Sequence, residues 1–403
     1  MKGIETMSKY IYMDNAATTR VTQEVFDAMK PYFCEQFGNP SSAYEFSGKI
    51  AEKVAEARKA IGKVIGAKEN EIFFTGGGSE SDNWAIKGVA DALREKGNHI
   101  ITTQIEHHAV LHTCEFLEKR GFEITYLPVD DKGLVNVEDL KKAIRPTTIL
   151  ISVMFANNEI GTVEPIKEIG RIAHEHGIYF HTDAVQAFGH LPIDVNEMNI
   201  DLMSASGHKI NGPKGIGLLY IRKGIKITNL IHGGAQESGK RAGTTNAAGI
   251  IGFAKATELA VRDMEETRAY ESRLRDKLIA GVTAEIPYTR VNGDLTNRLS
   301  NNVNFCFRFI EGESLLIMLD QKGICASSGS ACTSGSLDPS HVLLAIGLPH
   351  EIAHGSLRLT LSKDTTEEDI DYVVESLKEI VGRLRMMSPL YEDFVKKNKE
   401  AGV

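Results

Sequence analysis

Short apolar runs alternate with amphipathic stretches through the first half of the chain. Seven runs have the length of buried strands, and they cover residues 71–75, 99–103, 123–128, 148–155, 178–182, 201–205 and 215–220. The stretches predicted as helices between them are 79–96, 107–120, 137–144 and 166–176. Strands that alternate with helices predict an α/β fold with a mainly parallel sheet covered by helices. Ligands of such sheets bind at the carboxyl ends of the strands.

The pattern changes after residue 245. One long helix is predicted over residues 246–285, followed by strands and helices in mixed order at 302–307, 313–321, 356–361 and 366–386. This order is typical of a smaller α+β domain, and 403 residues are more than one compact core usually holds. We expect a large cofactor-binding domain over residues 18–260 and a small domain formed by residues 1–17 and 261–403.

Composition narrows the class of protein. A hydrophobic content of 42% and a charged content of 25% are ordinary for a soluble globular chain. The formal net charge of −8 argues against a non-specific nucleic-acid surface, and no apolar run is long enough to cross a membrane. Five cysteines without a CxxC pair are typical of reduced thiols. A cytoplasmic protein is therefore expected.

The most informative motif is residues 204–209, which end in His208 and Lys209. Small residues surround the lysine and leave room for a bulky ligand. A lysine amine held at a strand end beside an imidazole suits a cofactor that carries a carbonyl group, with which it would form a Schiff base. A lysine in a glycine-rich turn is also a common solvated loop residue, so the motif alone leaves both interpretations open.

Two further motifs stand at predicted strand ends. Residues 76–79, Gly-Gly-Gly-Ser, lie at a strand-to-helix junction, where free N–H groups of a helix N-terminus can bind a phosphate. The same motif could be a plain tight turn with Ser79 as the helix N-cap.

Asp183 follows a buried strand and needs a cationic partner, for which a protonated pyridine nitrogen would serve. It could instead cap the next segment.

Histidines and cysteines supply the remaining candidates. His107 lies nearest to a strand end and is better placed to face a ligand than its neighbours. His108 and His112 have the spacing of a metal pair, but no third ligand stands at a recognised distance, so no metal site is predicted.

Cys332 lies among Ser, Gly, Ala and Thr, a composition that predicts a mobile loop with an accessible nucleophile. A flexible linker with an incidental thiol is the alternative.

Several motifs occur together and in a characteristic order. They are residues 12–19 (YMDNAATT), 38–42 (GNPSS), 80–83 (ESDN), 106–110 (EHHAV), 157–161 (NNEIG), 181–186 (HTDAVQ), 206–209 (SGHK) and 327–334 (SSGSACTS). With them the chain resembles, over essentially its whole length, the cysteine desulfurases of the NifS/IscS-like group. These belong to the class V aminotransferase family of fold-type-I pyridoxal-phosphate enzymes. The last motif resembles the long-loop group.

The resemblance implies pyridoxal 5′-phosphate as cofactor and assigns its ring contacts. Lys209 would carry the cofactor covalently, and Asp183 would pair with the pyridinium nitrogen. Gln186 would hydrogen-bond the ring hydroxyl, and His107 would stack on the ring and help to move protons. Asn158 would contact both cofactor and substrate.

The resemblance also assigns the phosphate site. Gly78 and Ser79 would hold the phosphate from one side, and Ser206 and His208 from the other. Thr244 would reach the phosphate from a second subunit, which implies a homodimer with composite active sites.

The implied reaction converts L-cysteine to L-alanine. Asn158 and Arg358 would grip the substrate carboxylate, and Cys332 would take the sulfur as a persulfide. The sulfur would pass to an acceptor or iron–sulfur scaffold protein, for iron–sulfur cluster assembly or thiolation, with no membrane or direct nucleic-acid contact. Selenocysteine lyase or aminotransferase activity on the same scaffold is the alternative, and a non-catalytic sulfur carrier is a more distant one.

The chain departs from the family pattern at three positions. Ser79 stands where Thr is frequent, which preserves the hydroxyl group. Ser238 stands where an Arg is common, although Arg241 remains, and this concerns the contacts on the dimer side. Cys325 does not belong to the family motif and is predicted to be a buried strand residue.

Overall fold

The structure, a computed structural model, describes residues 10–328 and 339–400. The strands in these ranges are β1 Ile11–Tyr12, β2 Ile72–Thr75, β3 His99–Thr103, β4 Glu123–Leu127, β5 Thr148–Ser152, β6 Tyr179–Asp183, β7 Leu202–Ser206, β8 Gly217–Ile221, β9 Thr289–Asn292, β10 Asn302–Phe307, β11 Ile324–Cys325 and β12 Ser356–Thr360. The α-helices are α1 Gln23–Met29, α2 Pro31–Cys34, α3 Glu45–Val64, α4 Gly78–Ala92, α5 His108–Glu118, α6 Val137–Ala143, α7 Ile166–Glu175, α8 Ala247–Arg262, α9 Met264–Glu285, α10 Gly312–Gln321, α11 His341–Ala345, α12 His350–Ala353, α13 Glu367–Met386 and α14 Pro389–Glu400.

Seven strands form the central sheet, in the order β2-β8-β7-β6-β5-β3-β4. All neighbours pair in parallel except β8, which is antiparallel to both β2 and β7. The predicted mainly parallel α/β sheet is therefore confirmed, and every predicted strand of this sheet exists. The apolar run 148–155 was predicted too long, because the strand ends at Ser152 and the apolar residues after it continue into a buried loop.

Consecutive residues of the central strands enter different cores, as expected for strands covered on both faces. Ile100 and Leu219 pack in one apolar cluster, with Trp84 and Val110 from α4 and α5. Their neighbours along the strands, such as Ile101 and Leu218, pack in another cluster with residues of α3, α7 and α8. Burial on both faces explains why these strands appear in the sequence as short apolar runs.

A second, smaller sheet has the antiparallel order β12-β10-β9. Its apolar cluster combines Met13 near the start of the described chain with Leu278, Phe305, Leu359 and Ile380 from the second half. The predicted α+β arrangement is thus present here. The domain boundaries at residues 17 and 260 remain a prediction.

The long helix predicted over residues 246–285 is wrong in one respect, because the structure has two helices. α8 ends at Arg262 and α9 begins at Met264, with Asp263 between them at φ −100° and ψ 5°. No glycine or proline stands near residue 263, so the sequence pattern does not reveal the break. Among the residues that the structure describes, none of the helices is both long and apolar enough to cross a bilayer.

Candidate active site

A cavity of about 390 Å³ opens at the carboxyl ends of β6 and β7. It is lined by Ala16, Ala17, Gly78, Ser79, Asp82, His107, Met154, Ala156, Asn158, Asp183, Val185, Gln186, Ser206, His208, Lys209 and Arg358. Ten of the twelve site residues predicted from the sequence belong to this lining. Of the other two, Thr244 is exposed on a loop and does not line the cavity, and Cys332 lies outside the described residues.

Lys209 ends a short 3₁₀ turn, Gly207–Lys209, that follows β7. Its Nζ donates hydrogen bonds to the carbonyl oxygens of Ala16 and Ala17, at 2.5 and 2.9 Å. The turn is tight, since a Cβ on Gly207 would lie 3.1 Å from the carbonyl oxygen of Pro213. The glycine therefore allows the turn that directs this amine into the cavity.

Asp183 is the last residue of β6, and its side chain is buried. Burial raises the pKa of Asp183 to about 6, although the Val185 N–H, which donates to Oδ1 at 2.9 Å, and the positive charge of Lys209 both lower it. At neutral pH this carboxyl group is mostly ionised, so it can pair with a cationic ring nitrogen. Gln186 nearby donates from Nε2 to the Ala16 carbonyl at 3.1 Å.

His107 is the N-cap residue of α5, and its ring nitrogen Nδ1 accepts the N–H of Ala109 at 3.1 Å. Burial, followed by the charge of Lys209, lowers the pKa of His107 to about 4. The ring is therefore neutral at physiological pH. Because Nδ1 is an acceptor, Nε2 carries the proton.

His108 and His112, which have the sequence spacing of a metal-binding pair, lie in a cluster of three histidine rings. The rings of His108 and His112 stack with centroids 4.9 Å apart, and the centroid of the His341 ring lies 4.8 Å from that of His108. In the parts of the chain that the structure describes, no group of three His, Cys, Asp or Glu side chains is arranged to hold a metal ion.

The glycine turn before α4 forms one wall of the cavity. Gly77 is the N-cap of α4, so the alternative prediction that Ser79 is the N-cap is wrong, and Ser79 lies in the first helical turn. A Cβ on Gly78 would lie only 2.6 Å from Cγ2 of Val185. Free N–H groups of a helix N-terminus and room for close approach are what a phosphate site needs. Ser206 lies opposite, with Oγ 4.0 Å from the Cβ position of Gly77.

Two bidentate ion pairs hold the loop that carries Thr244, one to this turn and the other to α3. Arg241 binds both carboxylate oxygens of Glu80, at 2.8 and 3.0 Å, and Glu80 also accepts the Gly76 N–H. Arg58 binds both oxygens of Glu237, at 2.6 and 2.8 Å. Sequence reasoning missed Glu80, Arg58 and Glu237 as support for the site, because partners more than 150 residues apart leave no local pattern.

Arg358 brings a second cation to the cavity. It is 3% exposed, and it pairs with Asp14 at 2.8 Å and donates to the carbonyl oxygen of Asn158 at 3.1 Å. Its Nε is buried and has no hydrogen-bond partner among the residues that the structure describes. A substrate carboxylate would satisfy such a donor.

Cys325 lies in β11 beside Tyr12 of β1, as a strand residue should, but its side chain is only partly buried. The prediction of a buried residue is therefore wrong in degree, because the two-stranded β1–β11 ribbon lies near the surface. Burial raises the pKa of the Cys325 thiol, and the negative charges of Asp320 and Asp14 raise it further. This thiol is a poorer nucleophile than an ordinary one at neutral pH.

Comparison with known proteins identifies the family. The sequence profile described as "Aminotransferase class-V" matches residues 11–373. The chain belongs to the class-V aminotransferase family. The family predicted from the motifs is thus confirmed.

Members of this family with curated names are similar over nearly the full chain. The chain is 62% identical to the "Cysteine desulfurase IscS" of Clostridium botulinum, across 98% of this chain and 100% of that protein. It is 61% identical to the protein of the same name from Methanosarcina thermophila, across 96% of each.

Solved structures give the same fold. A structure titled "NIFS-LIKE PROTEIN" matches with a TM-score of 0.88 and 39% identity, across 93% of this chain and 100% of that one. Another, titled "SspA in complex with cysteine", matches with a TM-score of 0.79 and 41% identity, across 88% and 100%. The predicted fold class, that of fold-type-I enzymes, is confirmed.

Proposed function

We propose that this class-V family member is a cysteine desulfurase, which converts L-cysteine to L-alanine and transfers the sulfur to Cys332 as a persulfide. The observation that carries the proposal is the convergence of Lys209, Asp183 and His107 on one cavity. Similarity to curated cysteine desulfurases at 62% identity supports it.

The cavity fits pyridoxal 5′-phosphate on structural grounds. A side chain at position 78 would collide with Val185, so the glycine keeps space free for a ligand. The N-terminus of α4, with its free N–H groups, lies beside this space. At the other end of the cavity, the buried carboxylate of Asp183 accepts the Val185 N–H and lies in the field of the Lys209 charge, so it can pair with a cationic ring nitrogen. When bound, this cofactor withdraws electrons from the substrate Cα.

The residues of the cavity would divide the cofactor contacts. Gly78, Ser79, Ser206 and His208 would hold the phosphate group, joined by Thr244 of a second subunit in a homodimer. Asp183 would hold the protonated ring nitrogen, Gln186 the ring hydroxyl and Lys209 the carbonyl carbon. Asn158 and His107 would border the ring.

Substrate handling follows from the charges. Arg358, with Asn158, would bind the carboxylate of cysteine and fix its orientation. The amine of Lys209 would take the proton from the substrate Cα. His107, neutral with its proton on Nε2, would exchange a proton with the substrate thiol.

Sulfur transfer would then occur between two sulfur atoms. The Cys332 thiolate attacks the substrate sulfur, an S–S bond forms and the C–S bond breaks. The substrate carbon keeps the bonding electron pair and gains a proton, which yields alanine. The persulfide sulfur would pass to an acceptor or an iron–sulfur scaffold protein in the cytoplasm.

The test is incubation of the purified chain, loaded with pyridoxal phosphate, with L-cysteine. Equal amounts of alanine and transferable sulfur are expected, with one added sulfur atom on Cys332 by mass spectrometry. Alanine formation only from selenocysteine would favour the lyase, and amino transfer to a 2-oxo acid would favour the aminotransferase. No turnover of any of these substrates would overturn the proposal.

A further inference from the structure

The cavity contains a second carboxyl group, Asp82, that the proposed reaction does not use. Asp82 lies in the first half of α4 and is 1% exposed. α4 packs on the face of the sheet that carries His181 and Asp183, since residues two apart in a strand share a face. Ser204 stands opposite Asp183 in the register of β6 and β7 and shares that face. Asp82 and Asp183 therefore enter one buried polar layer.

Asp82 has a basic neighbour at ion-pair distance in this layer, but that neighbour is neutral. His181 Nε2 lies 3.7 Å from Asp82 Oδ1. Both ring nitrogens of His181 are already bound, to the hydroxyls of Ser152 at 2.9 Å and Ser204 at 3.0 Å. Burial also lowers the pKa of His181 to about 3, so the ring is neutral and the contact is no ion pair.

The hydrogen bonding of Asp82 is incomplete as well. Its Oδ1 is buried and has no hydrogen-bond partner among the described residues. Burial raises the pKa of Asp82 well above its ordinary value, and the charges of Asp183 and Glu106 raise it further, against a hydrogen bond from Ser204. A buried carboxyl group without a cation and with an unpaired oxygen is stable only in its neutral form.

Asp183 has the opposite environment in the same cavity. It accepts the Val185 N–H and lies within the field of Lys209. Two carboxyl groups with environments of this kind separate into one acid and one anion. We propose that Asp82 keeps its proton at neutral pH, so that the single negative charge of the pair resides on Asp183.

The consequence concerns the cofactor, and this part rests on the proposed function. A ligand with a phosphate group is repelled by each additional anion in its cavity. A neutral Asp82 leaves one carboxylate for the ring nitrogen and adds no second charge. The two aspartates should therefore respond differently to the same substitution, although both line the same space.

The first experiment measures protonation directly and requires neither cofactor nor turnover. The infrared spectrum of the full chain is compared with that of Asp82→Asn at pH 7. The variant should lose the C=O stretching band of a protonated carboxyl group. Glu164→Gln, which removes a buried carboxyl group whose pKa burial raises to about 8, supplies the reference band for a protonated group. Exposed Glu285→Gln supplies the reference for a carboxylate, since the ion pair with Lys378 lowers the pKa of Glu285.

A second variant tests the link between the two aspartates. In Asp183→Asn the neighbouring charge is absent, so the band of Asp82 should disappear at a lower pH than in the wild type. Loss of a carboxylate band in Asp82→Asn would overturn the proposal. An unchanged titration of Asp82 in Asp183→Asn would overturn the pairing.

The second experiment measures binding of pyridoxal phosphate to the full chain. Asp82→Asn should keep the dissociation constant within about twofold, since one neutral group replaces another of the same shape. Asp183→Asn should raise it by about tenfold or more, the cost of one charge-assisted hydrogen bond. Equal losses in both variants would show that Asp82 carries charge and would contradict the proposal. A chain that binds no cofactor at all would refute the proposed function and leave the infrared result standing.

Discussion

Arg241 holds both carboxylate oxygens of Glu80, and through them it holds the backbone of Gly76. One arginine of the Thr244 loop therefore fixes the turn that begins α4. Because the pair is mostly buried, with side-chain exposures of 23% and 20%, its geometry should matter more than that of a surface ion pair.

Arg241→Lys should weaken the binding of pyridoxal phosphate, because an ammonium group cannot hold both oxygens at once. We expect a dissociation constant about three- to tenfold higher, measured by fluorescence titration. Arg268→Lys is the matched control, since Arg268 pairs with exposed Glu265 at 3.3 Å on the surface of α9. If both variants bind the cofactor like the wild type, the ion pair does not support the phosphate turn.

Lys209→Ala should abolish both covalent retention of the cofactor and turnover, because it removes the lysine amine that lines the cavity. The Ala16 and Ala17 carbonyls hold that amine in place. Absorbance that survives borohydride treatment and denaturation measures the covalent link. Lys214→Ala, which removes an amine whose Nζ lies 3.4 Å from the Thr19 carbonyl, is the control and should retain it. Normal alanine release by Lys209→Ala would refute the assignment.

Cys332→Ala should keep the cofactor colour and the binding of cysteine, because Lys209, Asp183 and Arg358 are unchanged. It should lose sulfur transfer. Cys325→Ala should retain activity, since this partly buried thiol has a raised pKa. Mass spectrometry after one turnover should find the added sulfur on Cys332. Sulfur on Cys325, or full activity of Cys332→Ala, would contradict the nucleophile assignment.

The pKa of Asp183 sets a pH dependence for cofactor binding. Burial raises this pKa to about 6, so the carboxylate becomes protonated as the pH falls through that value. Affinity for pyridoxal phosphate should therefore be constant above about pH 7 and should decline below pH 6. His107, with a pKa lowered to about 4 by burial, should contribute no change between pH 5 and 8. An affinity that is flat down to pH 5 would exclude Asp183 as the partner of the ring nitrogen.

Glu271 predicts a pH dependence of stability. It is buried in α9, accepts a hydrogen bond from Ser300 at 2.6 Å, and burial raises its pKa to about 7. A folded pKa above the unfolded one means that the folded state binds more protons. The contribution of Glu271 to the free energy of unfolding should thus be greatest below about pH 4.5 and should decline as the pH rises to 7, by on the order of 3 kcal/mol.

Glu271→Gln should remove this decline, and thermal unfolding between pH 4.5 and 8 measures it. Glu285→Gln is the control, because Glu285 is exposed and its ion pair with Lys378 lowers its pKa. A steeper loss of stability in Glu271→Gln than in the wild type would show that Glu271 is ionised in the folded chain.

The sequence was informative where local chemistry determines structure. Lys209, Asp183 and the glycine turn could be predicted, because each stands where a buried apolar run ends and a polar or glycine residue begins. The break at Asp263 could not be predicted, because no glycine or proline marks it. Asp82 was missed for a different reason. On a helix between Ser81 and Asn83 it has the appearance of an ordinary polar residue, and only the packing of α4 on the sheet reveals its burial.

The contacts of the N-terminal segment have a consequence for biosynthesis. Asp14 pairs with Arg358, 344 residues away, and the carbonyls of Ala16 and Ala17 receive the amine of Lys209. During translation this wall of the cavity therefore emerges long before the residues that contact it. The Asp14–Arg358 ion pair can form only after residue 358 has left the ribosome, so the segment around Asp14 is made without the partner that later holds it.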